Sequence, residues 1–188
     1  MLKIIQLTKE IIDDYKEKGN IQFIENKSIE SIIARYEIYK ENNILVDTNN
    51  YWIPIYENDF FWSISHKKNL VFIATFDENI WIDIEILNEE RSRDVFSLHK
   101  LDEYLFFWWV NFINFYKLWT IKESVIKLNL SGIDNLNDVK IDKIIKKKNI
   151  VDTIFFDYEI FWTFLDKNFY SINWINWNMV YSVSYFIK

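Results

Sequence analysis

Ile80-Trp81-Ile82-Asp83-Ile84-Glu85-Ile86 places isoleucine at every second position. A two-residue period is that of a β-strand whose faces meet different surroundings, so Trp81, Asp83 and Glu85 share one face. Upstream, residues 61–65 and 70–76 also read as strands, with turns at Lys67-Lys68-Asn69 and Asp77-Glu78-Asn79. Downstream, Trp119-Thr120-Ile121-Lys122-Glu123-Ser124-Val125-Ile126-Lys127 has helical spacing, with Glu123 one turn from both Trp119 and Lys127. Two carboxylates from a strand and a third from a helix, with lysines beside them, suit a hard divalent cation and a polyphosphate.

Working outward, the first third of the chain reads as helical. Residues 28–42 have Ser28 as an N-cap, an acidic first turn, and Ile29, Ile32, Ile33 and Tyr36 at core spacing. Residues 49–59 form a loop around Pro54. Residues 101–129 are the longest helical region, broken near 111–114, with Phe106, Phe107, Trp108, Trp109, Phe112, Phe115 and Tyr116 expected in the core. Beyond Ser131-Gly132, strands are expected at 153–158, 160–165, 170–172 and 179–186. Ser63-Ile64-Ser65, a turn and LVFIATF are echoed by Ser171-Ile172-Asn173, a turn and MVYSVSY, which fits two related α+β lobes.

Composition narrows the function. The 188 residues are half apolar and about a quarter charged, enough for one large domain or two small lobes. Cysteine is absent, which removes disulfides, thiolate zinc and a cysteine nucleophile. Charges at Lys3, Lys9, Glu10, Asp13 and Asp14 interrupt the N-terminal apolar residues, and the charge-free run 104–116 is too short to span a bilayer. The expectation is a soluble cytoplasmic protein without a membrane partner. A net charge of −6 speaks against a nucleic-acid partner. The lysines at 140, 143, 146, 147 and 148 read as a solvated helix end or loop, and His99 as a surface residue.

Ser63-Ile64-Ser65-His66, then Ile82-Asp83-Ile84-Glu85, then Trp119-x-x-Lys122-Glu123-Ser124-x-x-Lys127 together resemble the 4′-phosphopantetheinyl transferases, in their longer, two-lobed, monomeric form. The likeness covers about residues 51–132 and is general in character elsewhere. It implies an α+β fold of two pseudo-symmetric lobes, each a small antiparallel sheet packed on a long helix, divided as 1–78 and 79–188 with the metal site in the second. It implies transfer of 4′-phosphopantetheine from coenzyme A to a serine of an acyl or peptidyl carrier protein, releasing adenosine 3′,5′-bisphosphate. Asp83, Glu85 and Glu123 would ligate Mg²⁺, and Lys122 and Lys127 would neutralise phosphate charge. Glu123, or a water on the metal, would take the serine proton. Ser65, His66 and, as a guess from its helix, Arg35 would contact the 3′-phosphate of coenzyme A.

The chain departs from this pattern at tryptophan. There are nine tryptophans and two glycines, whereas ordinary glycine usage is ~7%. Trp52, Trp62 and Trp81 stand where the family has glycine, and Trp174 and Trp177 follow asparagine where Asn-Gly would mark a hairpin. One explanation is UGA codons read as Trp in a lineage that uses UGA for Gly; the other is an aromatic-rich, divergent member. Two further functions fit the same residues. A Mg²⁺-dependent nuclease would also use strand acids with a nearby glutamate and lysine, although here the lysines lie on the helix. A degenerate homologue would bind coenzyme A or a carrier without turnover, as a bulky Trp81 beside Asp83 would favour.

Overall fold

A computed structural model describes residues 1–18, 28–47, 60–128, 133–151, 154–164, 167–176 and 178–187. The fold is α+β, with two antiparallel sheets and helices packed on them. The chain divides into two compact units, Met1–Glu78 and Asn79–Lys188. Among the described residues no helix is long and apolar enough to cross a membrane.

The first unit has a three-stranded sheet of order β1-β3-β2, formed by β1 (Leu2–Gln6), β2 (Phe61–Lys67) and β3 (Leu70–Phe76). Helices α1 (Lys9–Lys18) and α2 (Ile29–Asn42) accompany it. Ser28 caps α2 as its sequence predicts, its Oγ accepting from the Ser31 N–H at 3.3 Å. Asn43 closes the helix in the left-handed region, φ 55°. Ile33, Ala34 and Ile38 of α2 pack with Trp62, Val71 and Ile73, while Ile29 and Tyr36 are only half-buried. Strand β1 was not expected. Its five residues are too few to show a period, and the pairing with β3 that fixes it is long-range. Lys3 of β1 donates to the buried Glu37 of α2 and, at 2.7 Å, to Glu41, while the Tyr15 hydroxyl of α1 donates to Glu37 at 2.5 Å.

The second unit has a five-stranded sheet of order β4-β8-β7-β6-β5, from β4 (Ile80–Ile86), β5 (Lys140–Val151), β6 (Ile154–Phe164), β7 (Lys167–Asn176) and β8 (Met179–Phe186). Helices α3 (Leu101–Leu105) and α4 (Phe112–Leu128) follow β4. The α4 residues Phe115, Leu118, Ile121 and Val125 are fully buried with Ile160, Phe169 and Val180, and Trp81 and Trp119 pack at the margin of this core. The internal echo in the sequence corresponds to two antiparallel hairpins, β2–β3 in one unit and β7–β8 in the other.

Four expectations change. The two strands expected at 153–158 and 160–165 are one strand, β6. The lysine run lies in strand β5 rather than a helix end or loop, with Lys140 and Lys143 exposed. His99 is buried, only 5% exposed, because it is enclosed by the rings of Tyr104, Phe115 and Trp119. Of the crowded aromatics, Phe106, Trp108 and Trp109 are 39%, 84% and 74% exposed. They fall in the break between α3 and α4, where no helical period turns them inward. Trp108 also adopts φ 73°, the left-handed conformation that glycine takes without a Cβ clash. Trp62 and Trp174 are buried, the latter stacked on Tyr181 at 5.0 Å. Trp52, Trp177 and the loop expected at 49–59 lie outside the described residues.

Candidate metal and phosphate site

Strand β4 pairs with β8 so that Trp81, Asp83 and Glu85 stand opposite Ser184, Ser182 and Val180. Helix α4 lies over this face. Its Ser124 Oγ is 2.6 Å from Ser184 Oγ and 3.3 Å from Ser182 Oγ, and Ser171 Oγ joins Ser184 Oγ at 2.5 Å. These small hydroxyl side chains are fully buried; they bring helix and sheet close and satisfy one another. Thr120 adds a bond from the Asn173 side-chain amide at 3.3 Å.

One turn beyond Ser124, Lys127 reaches Asp83. Its Nζ is 2.5 Å from Asp83 Oδ1 and 3.8 Å from Glu123 Oε2. Asp83 is buried, Glu123 and Glu85 are half-buried, and the Lys127 side chain is 35% exposed. Burial pushes the Glu123 carboxyl above its usual range, the Asp83 and Glu85 carboxylates add to this, and Lys127 opposes it. For Lys127, burial works against the ammonium but is outweighed by Asp83, Glu123 and Glu85, which hold its pKa above the ordinary lysine value. The three predicted acids and Lys127 thus form one electrostatic group.

Whether these residues suit a divalent cation follows from their chemistry. The donors are carboxylate oxygens without sulfur or imidazole, the set that hard cations such as Mg²⁺ prefer. As they stand, no three acids or histidines among the described residues converge tightly enough to hold a metal ion. The Lys127 ammonium is the cation on Asp83 instead. The match to Mg²⁺ lies in the donor chemistry and not in the present spacing of the three acids.

Lys122, expected at the phosphate, is fully buried and lies 2.7 Å from both Glu103 carboxylate oxygens. Burial lowers its pKa, and Glu103 opposes this. Glu103 was missed in the sequence; its one signal was an acidic first turn, Asp102-Glu103, ahead of a helix whose Lys122 would need a partner if buried. Arg35, Ser65 and His66 belong to the first unit. Arg35 is buried, its Nη1 donating to the Val46 carbonyl at 2.8 Å and to Asp47 at 3.3 Å, and its guanidinium lies 5.2 Å over the Trp62 ring. Ser65 is buried on β2 and His66 beside it is exposed.

Among curated proteins, the chain is similar to the 4′-phosphopantetheinyl transferase gsp of Aneurinibacillus migulanus, 32% identical over 126 residues, or 61% of this chain and 52% of that protein. The resemblance to that superfamily is borne out. The chain spans about half the length of this curated relative. No protein-family model matches it.

Proposed function

We propose that this chain is a 4′-phosphopantetheinyl transferase that moves phosphopantetheine from coenzyme A to a serine of an acyl or peptidyl carrier protein. The observation that carries this reading is the meeting of Lys127 and Glu123 of α4 with Asp83 of β4, in a chain similar to a protein of that name. Mg²⁺, when bound by Asp83, Glu85 and Glu123, supplies positive charge to the pyrophosphate as it is cleaved.

The chain's own residues have separable tasks. Lys127, a third exposed, is placed to exchange its contact with Asp83 for one with a phosphate oxygen. Its ammonium would then offset the charge on the leaving adenosine 3′,5′-bisphosphate. Glu123, or a water held beside it, would accept the proton of the attacking carrier serine. The serine oxygen bonds to the phosphorus next to pantetheine while the pyrophosphate P–O bond breaks. Contacts of Ser65 and His66 with the 3′-phosphate belong to the proposal and rest on the sequence resemblance. Arg35 is engaged by Val46 and Asp47 and is assigned no phosphate.

The test is mass spectrometry of apo carrier proteins incubated with coenzyme A, Mg²⁺ and this protein. A mass gain on the carrier serine is expected, lost in Asp83→Ala and Glu123→Ala. No gain from either the unmodified chain or Trp81→Gly would overturn the transferase reading.

A further inference from the structure

Glu103 and Lys122 form a buried ion pair that the proposed chemistry does not use. Glu103 is 5% exposed and Lys122 is 0% exposed. Both carboxylate oxygens lie 2.7 Å from Lys122 Nζ, and Oε2 also accepts the Lys100 N–H at 2.9 Å, at the start of α3. The pair therefore ties α3 to α4 at the residue immediately before Glu123. Successive helical residues are ~100° apart around the axis. A fixed Lys122 toward α3 sets where Glu123 stands relative to the Asp83–Glu85 face.

We propose that Glu103 is a positioning residue: through Lys122 it holds α4 in the rotation that presents Glu123 to the β4 acids, and Lys122 is the tether rather than a phosphate ligand. This rests on the transferase reading and deepens it. The two roles for Lys122 make opposite demands. As a phosphate ligand it must leave Glu103 and reach solvent, and losing Glu103 would free it. As a tether it must stay, and losing Glu103 leaves a buried, unpaired ammonium that α4 must move to hydrate.

A double-mutant cycle separates these. Glu103→Gln keeps the acceptor for the Lys100 N–H but removes the counter-charge. Glu103→Gln with Lys122→Met removes both charges and keeps the volume, a change that buried pairs often tolerate. Thermal melting, coenzyme A binding by calorimetry with Mg²⁺, and Mn²⁺ binding by electron paramagnetic resonance without coenzyme A are read for each. For Glu103→Gln we expect a lower Tm and about tenfold weaker coenzyme A and Mn²⁺ binding, both recovered to within about threefold in the double variant.

Undiminished binding by Glu103→Gln overturns the proposal. So does a double variant that melts like the unmodified protein yet binds coenzyme A more than about tenfold more weakly, since Lys122 is then itself a ligand. If Glu103→Gln does not fold, the double variant decides alone: retained binding supports Lys122 as a structural partner of Glu103 and not a phosphate ligand, and lost binding refutes the proposal. An unmodified chain that binds neither ligand overturns the transferase reading, and this proposal with it.

Discussion

His99 makes the second unit sensitive to acid, and the size of the effect follows from its surroundings. Its ring is packed among Tyr104, Phe115 and Trp119 at centroid distances of 6.0, 5.2 and 6.3 Å. Neither ring nitrogen completes a hydrogen bond among the described residues; a looser contact to the Phe115 backbone offsets only part of the burial. Burial first, and then the Lys122 ammonium, lower its pKa from 6.5 to about 3. The folded protein therefore keeps His99 neutral while the unfolded chain protonates it near the ordinary value. Stability is intact above pH ~6.5, falls as pH drops below it, and levels off near pH ~3. At pH 5 the loss from this group is ~2 kcal/mol, and a folded pKa one unit higher changes that by only ~0.1 kcal/mol. The perturbation is His99→Phe, which keeps an aromatic ring and removes the proton site. Urea unfolding at pH 7.5 and pH 5.0 gives the pH-dependent loss for each protein. Other groups titrate alike in both, so the variant should lose ~2 kcal/mol less than the parent. Losses equal within ~0.5 kcal/mol would refute the reasoning, because His99 would then be hydrated or hydrogen-bonded in the folded state.

Trp108→Gly should raise stability by ~1 kcal/mol, since its 84% exposed ring buries little and its φ of 73° carries a Cβ penalty; an unchanged or lower urea midpoint would count against strain there. The gene's codons at positions 52, 62, 81 and 108 decide separately whether these tryptophans are UGA. Lys127→Ala should cut carrier modification at least ~100-fold. In metal-free protein the same change should move Glu123 titration, followed by carboxyl NMR, to higher pH, because the cation opposing Asp83 and Glu85 is gone. An unmoved Glu123 titration would show that Lys127 is not part of the acid group.

The strand and helix that carry the candidate acids were legible because they depend on short-range order, whereas the grouping of those acids was expected from the resemblance alone. β3, β4 and β8 have the predicted bounds, since apolar residues recur along each and a polar turn precedes each. α2 was legible from its Ser28 cap and α4 from its Trp119–Lys127 spacing. What failed depends on pairing at long range. β1 is a strand only because β3 offers it an edge, and β5 and its lysines become a strand only against β6. The burial of His99 needs three rings from two later helices, none of which its neighbours in sequence announce. The Lys122–Glu103 pair was hidden for the same reason: spacing put a lysine beside Glu123, but only the fold put Glu103 beside that lysine.

Helix α4 shows why buried polar partners are hard to read from a sequence. Within six residues it directs Lys122 to Glu103 of α3, Glu123 and Lys127 toward the β4 acids, and Ser124 into the hydroxyl cluster with β8. A half-buried surface helix has one apolar stripe and a solvated face; α4 has little solvated face, and so carries almost no amphipathic signal. Its polar residues are buried because each has a specific partner, which makes the helix intolerant of rotation. A turn of ~100° about its axis would bring Lys122 toward the Asp83 side and break both ion pairs and the serine contact at once. The same intolerance serves the proposed chemistry. Three carboxylates repel one another, and the contacts of α4 on its other sides help to hold Glu123 beside Asp83 and Glu85 before the proposed cation would bind. Lys127 completes that arrangement by supplying the positive charge in the meantime.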